Sequence, residues 1–149
     1  MKSMSRLITV LLVGACLAVA QTDVPYRLLS SRVSGSTESI KESDYNVSVD
    51  RYPDASEIKS VVCRLIRNEK PAGYDILSVG IYYKLDQYVP EREGDVDDAA
   101  LHRERRIAQY HWNKDSPKDN RRLVVSRDAK GQSLSQWRFY DFDHTKACR

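Results

Sequence analysis

The 149-residue chain is poor in the residue types that mark well-known chemistry, with three cysteines, three histidines and six glycines. It holds no GxGxxG fingerprint, no P-loop and no GxSxG elbow, which removes the dinucleotide, nucleoside-triphosphate and α/β-hydrolase signatures. HExxH, paired CxxC and the EF-hand loop are also missing, so no common zinc or calcium framework is present. Nothing repeats at a fixed period, and there is no second long apolar run to predict a membrane span. Charge of one sign is scarce as well. The net charge is +3, and two of those charges, Lys2 and Arg6, sit in the first residues. Without them the chain stands at +1, which argues against a dedicated nucleic-acid binder, since that needs a concentrated basic surface. The basic clusters Arg103, Arg105, Arg106 and Arg121, Arg122 are interrupted by or close to acids, and read as a solvated mixed-charge face.

What is present begins with a leader. Lys2 and Arg6 precede an almost unbroken apolar run, Leu7 to Leu17, and Ala18-Val19-Ala20 supplies the small-x-small pattern of signal-peptidase cleavage before Gln21. The run is too short to cross a bilayer as a helix, so the expectation is a secreted or periplasmic protein with a signal peptide over 1–20. The alternative is a lipid anchor: Val13-Gly14-Ala15-Cys16 loosely resembles a bacterial lipobox. The apolar residues 17–20 would start a polar tether poorly, and this makes ordinary cleavage the preferred reading.

After cleavage Cys63 and Cys148 remain, and an even count in an exported chain predicts one internal disulfide. Residues 21–149 fit one domain with a modest core. Tyr26 to Leu29 predicts a short strand, and Ser30 to Ser39 a loop or turn. Tyr45, Val47 and Val49 alternate with polar residues as a half-buried strand does. Asp54 and Glu57 make an acidic capping box ahead of Ile58, Val61, Val62, Leu65 and Ile66, an apolar stripe that predicts a helix over 54–69. Cys63 falls on the flank of that stripe. Strands are expected over Tyr74 to Leu85, Arg106 to Trp112, Leu123 to Ser126 and Leu134 to Phe142, the last with Trp137 and Phe139 on one face and Tyr140 and Phe142 on the other. Gln87 to Glu104 is an acidic loop with a short helical turn inside it. The fold class is α+β: one long helix packed on an antiparallel sheet of four to six strands, in two layers.

Few residues could carry catalysis. His111 ends a strand, and Asp141-Phe142-Asp143-His144 brings two carboxylates near an imidazole, as a base oriented by an acid requires. On a strand, however, Asp143 and His144 point to opposite faces. Ser60 and Ser78 have no positional case as nucleophiles. Asp95, Asp97, Asp98 and His102 could be imagined around a metal, but an acidic solvent loop is the simpler reading, and no cofactor or metal is expected. Asn46-Val47-Ser48 is a glycosylation sequon of a length that arises by chance. Tyrosine is the abundant aromatic, with nine copies; Tyr82, beside Gly80 on the face away from Leu77, Val79 and Ile81, and Tyr88 suit a contact surface.

The order strand (45–51), helix (54–69), strand (74–86), loop and further strands resembles the cystatin layout, a helix across a curved antiparallel sheet. Gln87-Tyr88-Val89-Pro90-Glu91 falls where cystatins carry the QxVxG protease-binding loop; it matches the Gln and Val and lacks the Gly, and the second loop's Pro-Trp pair is missing. The resemblance implies a fold class more than an activity. The expectation is therefore a small exported, non-catalytic binding module, inhibitor-like or immunity-like, that contacts another protein or a small ligand through Tyr82, Gln87, Tyr88 and Val89. The alternative is a small hydrolase using His111 and His144 with Asp141 or Asp143.

Overall fold

A computed structural model describes residues 23–35, 40–88, 102–115 and 121–149, so the leader, Cys16 and the Ala20–Gln21 junction lie outside the described residues. Asp54 caps the one long helix as the sequence predicts. Its side chain accepts from the Glu57 backbone N–H at 2.9 Å, and the Glu57 carboxylate accepts from the Asp54 N–H at 2.9 Å. Two donors left over at the first helical turn are thereby satisfied. Helix α1 (Ala55–Glu69) buries Ile58, Val61, Val62, Cys63 and Leu65, and it stops at Lys70, which takes the left-handed conformation and donates its N–H to the Ile66 carbonyl.

The strands β1 (Tyr26–Ser34), β2 (Glu42–Val49), β3 (Ile76–Tyr83), β4 (Arg106–Asn113), β5 (Arg122–Arg127) and β6 (Ser133–Asp141) form one sheet in chain order. Strand β1 runs further than expected. Ser30 to Ser34, read as loop from composition, stay extended because β2 offers a ladder from Asn46 to Glu42 beyond a bulge at Leu29. The sheet is mixed rather than antiparallel, and this corrects the expectation from short links and from the cystatin layout. Strands β2 and β3 are joined by α1 and pair in parallel, Glu42 opposite Ile76 through Val49 opposite Tyr83. The reason is length. A 15-residue helix rises about 22 Å, close to the span of an eight-residue strand, so it returns the chain to the end at which β2 began. The other pairings are antiparallel.

One sheet face meets α1. Val47, Val49, Leu77, Val79, Ile81, Tyr110, Leu123 and Val125 join the helix stripe in a single buried cluster. Against this cluster the C-terminal segment folds back, with Phe142 buried and a short helix α2 (His144–Ala147) after it. The Cys63–Cys148 disulfide fixes α2 to the flank of α1, where the stripe places Cys63. No helix among the described residues is long and apolar enough to cross a membrane.

Candidate functional site

The second sheet face lies away from α1, and its side chains, with His102 and Arg103 from a helical segment at 102–105, define a cleft of about 720 Å³. Strand register arranges this face in rows. Ser30, Asn46, Gly80 and Gln109 stand opposite one another across β1 to β4, with Arg32, Asp44, Ser78 and His111 in the row on one side. On the other side Ser48, Tyr82 and Arg106 form the third row. Gly80 shapes the floor. A Cβ there would lie 2.5 Å from Asn46 Oδ1 and 2.8 Å from the Tyr82 ring, so only a residue without a side chain lets both lie across it. Tyr82 is consequently buried, at 6% exposure, rather than displayed as the sequence reading supposed.

Three rings close one end of this cleft. Tyr88 and His102 stack at 4.9 Å, and Tyr82 meets each at a tilt, 5.8 Å and 6.0 Å away. His102 is 6% exposed, and its buried Nδ1 has no hydrogen-bond partner among the described residues. A buried polar atom left so costs about 1–3 kcal/mol, which a bonded ligand or water would offset. Around the rim lie Arg32, Glu42, Asp44, Arg103 and Arg106. Among the described residues the Arg106 side chain donates only to Gln109 Oε1, at 3.4 Å, and the other four charged side chains have no ion-pair partner.

A larger cleft, about 850 Å³, runs between α1 and the C-terminal segment. Its charges are mostly committed to one another. Arg121 bonds Asp143 at 2.7 Å and the Lys114 carbonyl at 3.3 Å; Lys146 stands 3.9 Å from Asp143, and Arg64 pairs with Asp23 at 3.8 Å. Arg64 and Arg121 each keep a buried Nε without a partner, but their terminal nitrogens are held. Burial raises the Asp143 carboxyl pKa, and the hydrogen bonds from Thr145 and Arg121 outweigh it, leaving the group below the ordinary carboxylate value.

The proposed catalytic residues divide between these regions. His144 is buried at the start of α2, with Nε2 2.6 Å from the Tyr74 hydroxyl and Nδ1 2.8 Å from the Tyr110 hydroxyl. The Tyr110 oxygen also accepts the His144 backbone N–H at 3.3 Å. One proton assignment satisfies every group: Tyr110 donates to Nδ1, and Nε2–H donates to Tyr74. Burial lowers the His144 pKa, and burial raises those of Tyr110 and Tyr74, so the trio is neutral near pH 7. His111 lies on the opposite sheet face, with Nδ1 3.3 Å from Ser78 Oγ. This contact, across β3 and β4, is invisible to a reading confined to neighbours in sequence. On its other side His111 faces Arg122, and beyond that Asp141, so a cation stands where an orienting carboxylate would be needed. Asp44 is next to Ser78, not to His111.

Of the proposed contact residues, Tyr82 and Tyr88 line the cleft, Gln87 is exposed outside it, and Val89 lies outside the described residues, as do Asp95, Asp97 and Asp98. Among the residues not expected at the site, Asn46, Asp44 and Gln109 carried a signal only in alternation, which places residues on a face but does not say which strands adjoin; Arg103 stood out only as one of a basic cluster and lies in a helical segment at 102–105. Asn46 donates Nδ2 to Ser30 Oγ at 3.0 Å, so its amide nitrogen is engaged within the fold. No family model, curated protein or solved structure matches the chain.

Proposed function

We propose that the chain is a small exported binding module whose ligand occupies the cleft on the sheet face away from α1. The observation that carries this reading is the set of charged groups around that cleft that have no ion pair among the described residues, together with the orphaned His102 Nδ1. Its volume falls in the range of small-ligand sites, about 300–1,000 Å³, and its wall combines stacked rings with a few convergent polar groups. Export accords with the leader pattern and with a disulfide closing the C-terminal segment onto α1. The test is a binding screen read by NMR on the mature chain. Ligands that shift the resonances of Tyr82, Tyr88 and His102, and that lose affinity with Tyr82→Ala or His102→Ala, support the proposal. Ligands that shift only residues 59–67 and 143–147 would move the site to the helix side.

A second reading, hydrolysis, draws on the Ser78–His111 contact. Activity on an ester or peptide substrate that vanishes in Ser78→Ala and His111→Ala, with unchanged thermal stability, would favour it over a binding role.

A further inference from the structure

The rows of the sheet-side cleft differ in charge from end to end. This inference rests on the binding reading above and concerns the chemistry of the ligand. Glu42 and Asp44 lie at the start of β2, where Arg32 opposite Asp44 leaves one net negative charge. Arg103 and Arg106 lie at the other end, beside the Tyr82, Tyr88 and His102 rings. Asp44 and Ser48 are four residues apart on β2, and Ser48 is in register with Tyr82 and, through it, with Arg106. The two ends are thus about 13 Å apart. An extended chain spans at most about 3.3–3.6 Å per residue, so four residues cover that distance.

The middle row carries matching peptide chemistry. Asn46 donates its Nδ2 to Ser30, and its Oδ1, lying over Gly80 beside the Tyr82 ring, accepts no hydrogen bond among the described residues. Gln109 accepts from Arg106 through Oε1, which leaves its Nε2 as a donor from β4. An acceptor on β2 and a donor on β4, separated by a residue with no side chain, match the N–H and the carbonyl of one peptide unit. We infer that the cleft takes an extended peptide of about four residues, with its ammonium at Glu42 and Asp44, its carboxylate at Arg103 and Arg106, and an aromatic C-terminal side chain against Tyr82, Tyr88 and His102. The stated charges complement the two free ends of such a chain, and the rings offer apolar area to its last side chain.

The experiment is calorimetric titration of the mature, disulfide-bonded chain with a tetrapeptide of three alanines and a C-terminal phenylalanine, with NMR shifts mapping the site. Acetylating the amine, or amidating the carboxylate, is expected to weaken binding about tenfold each, the size of one charged hydrogen bond. Asp44→Asn should remove the penalty for acetylation alone, and Arg103→Gln the penalty for amidation alone. Neither charge has an ion-pair partner among the described residues, so both variants should fold. Equal affinity for free and capped peptides overturns the inference. If the tetrapeptide leaves the spectrum unchanged while a monosaccharide mixture shifts the cleft resonances, the peptide inference fails and the cleft reading survives. If neither probe shifts them, both fail.

Discussion

The helix-side cleft is the larger of the two, about 850 Å³ against about 720 Å³, yet most of its acids and bases pair with one another, whereas those around the sheet-side cleft form no ion pair among the described residues. The Arg121–Asp143 pair there ties the residue ahead of β5 to the cap of α2, and Asp143 also bonds Thr145, so the same carboxylate holds Arg121 and caps α2. These groups hold the C-terminal segment against α1. On the sheet face away from α1, Arg32, Asp44 and Arg103 have no ion pair to a neighbouring element among the described residues. Size alone favours the helix-side cleft; the proposed site rests instead on whether a charge is already answered among the described residues.

The largest effect is expected at the disulfide. Replacing Cys63 and Cys148 with serine releases a bond that links residues 85 apart, and stability should fall by about 4–5 kcal/mol, measured by urea unfolding. If the helix-side cleft is a structural seam, the variant keeps its sheet-side NMR shifts while residues 143–149 lose theirs.

Arg121→Gln should come next, at about 1–3 kcal/mol, since it leaves the Asp143 carboxylate only 15% exposed and without its 2.7 Å partner. A pH effect sharpens the same region. His144 has a lowered pKa in the fold, so the unfolded chain takes up its proton first as pH falls. Its contribution is complete above about pH 6.5 and declines as the pH drops from there toward the folded value. Asp143, also lowered, acts only below about pH 4, because its stabilisation is present above the unfolded carboxylate pKa. Unfolding curves between pH 7.5 and 5 should therefore lose stability in the native chain, and the loss should flatten in His144→Gln.

Gly80→Ala tests the floor of the sheet-side cleft. The added Cβ meets Asn46 Oδ1 and the Tyr82 ring inside normal contact distance, so a destabilisation of about 1–3 kcal/mol is expected with a shifted Tyr82 ring. An unchanged Tyr82 resonance would mean that the ring does not lie across Gly80. The smallest effects belong to Asp44→Asn and Arg103→Gln, each expected to change stability by less than about 0.5 kcal/mol. A loss comparable with that of Arg121→Gln would show that these charges are structural too, and the contrast between the clefts would collapse.

Much of the fold was legible locally. The Asp54–Glu57 capping box, the stripe from Ile58 to Leu65, and the split of exposed Trp137 and Phe139 from Tyr140 on β6 and from Phe142 just beyond it follow from spacing alone, and each is found. The candidate site was legible only in fragments. Tyr82 and Tyr88 stood out as aromatic, but Asp44, Asn46 and Gln109 look like ordinary polar positions of a strand until three strands are set side by side. Ser78 and His111, 33 residues apart, meet for the same reason.

The helix and its cap, the alternation of the strands and a disulfide partner for Cys63 follow from sequence alone, because each depends on short-range periodicity or on there being one partner left once the expected leader is set aside. Tertiary structure decided the parallel pairing of β2 with β3 and with it the rows of the sheet face away from α1. That pairing depends on where a 15-residue helix delivers the chain, a length matched across the whole sheet that no local pattern encodes.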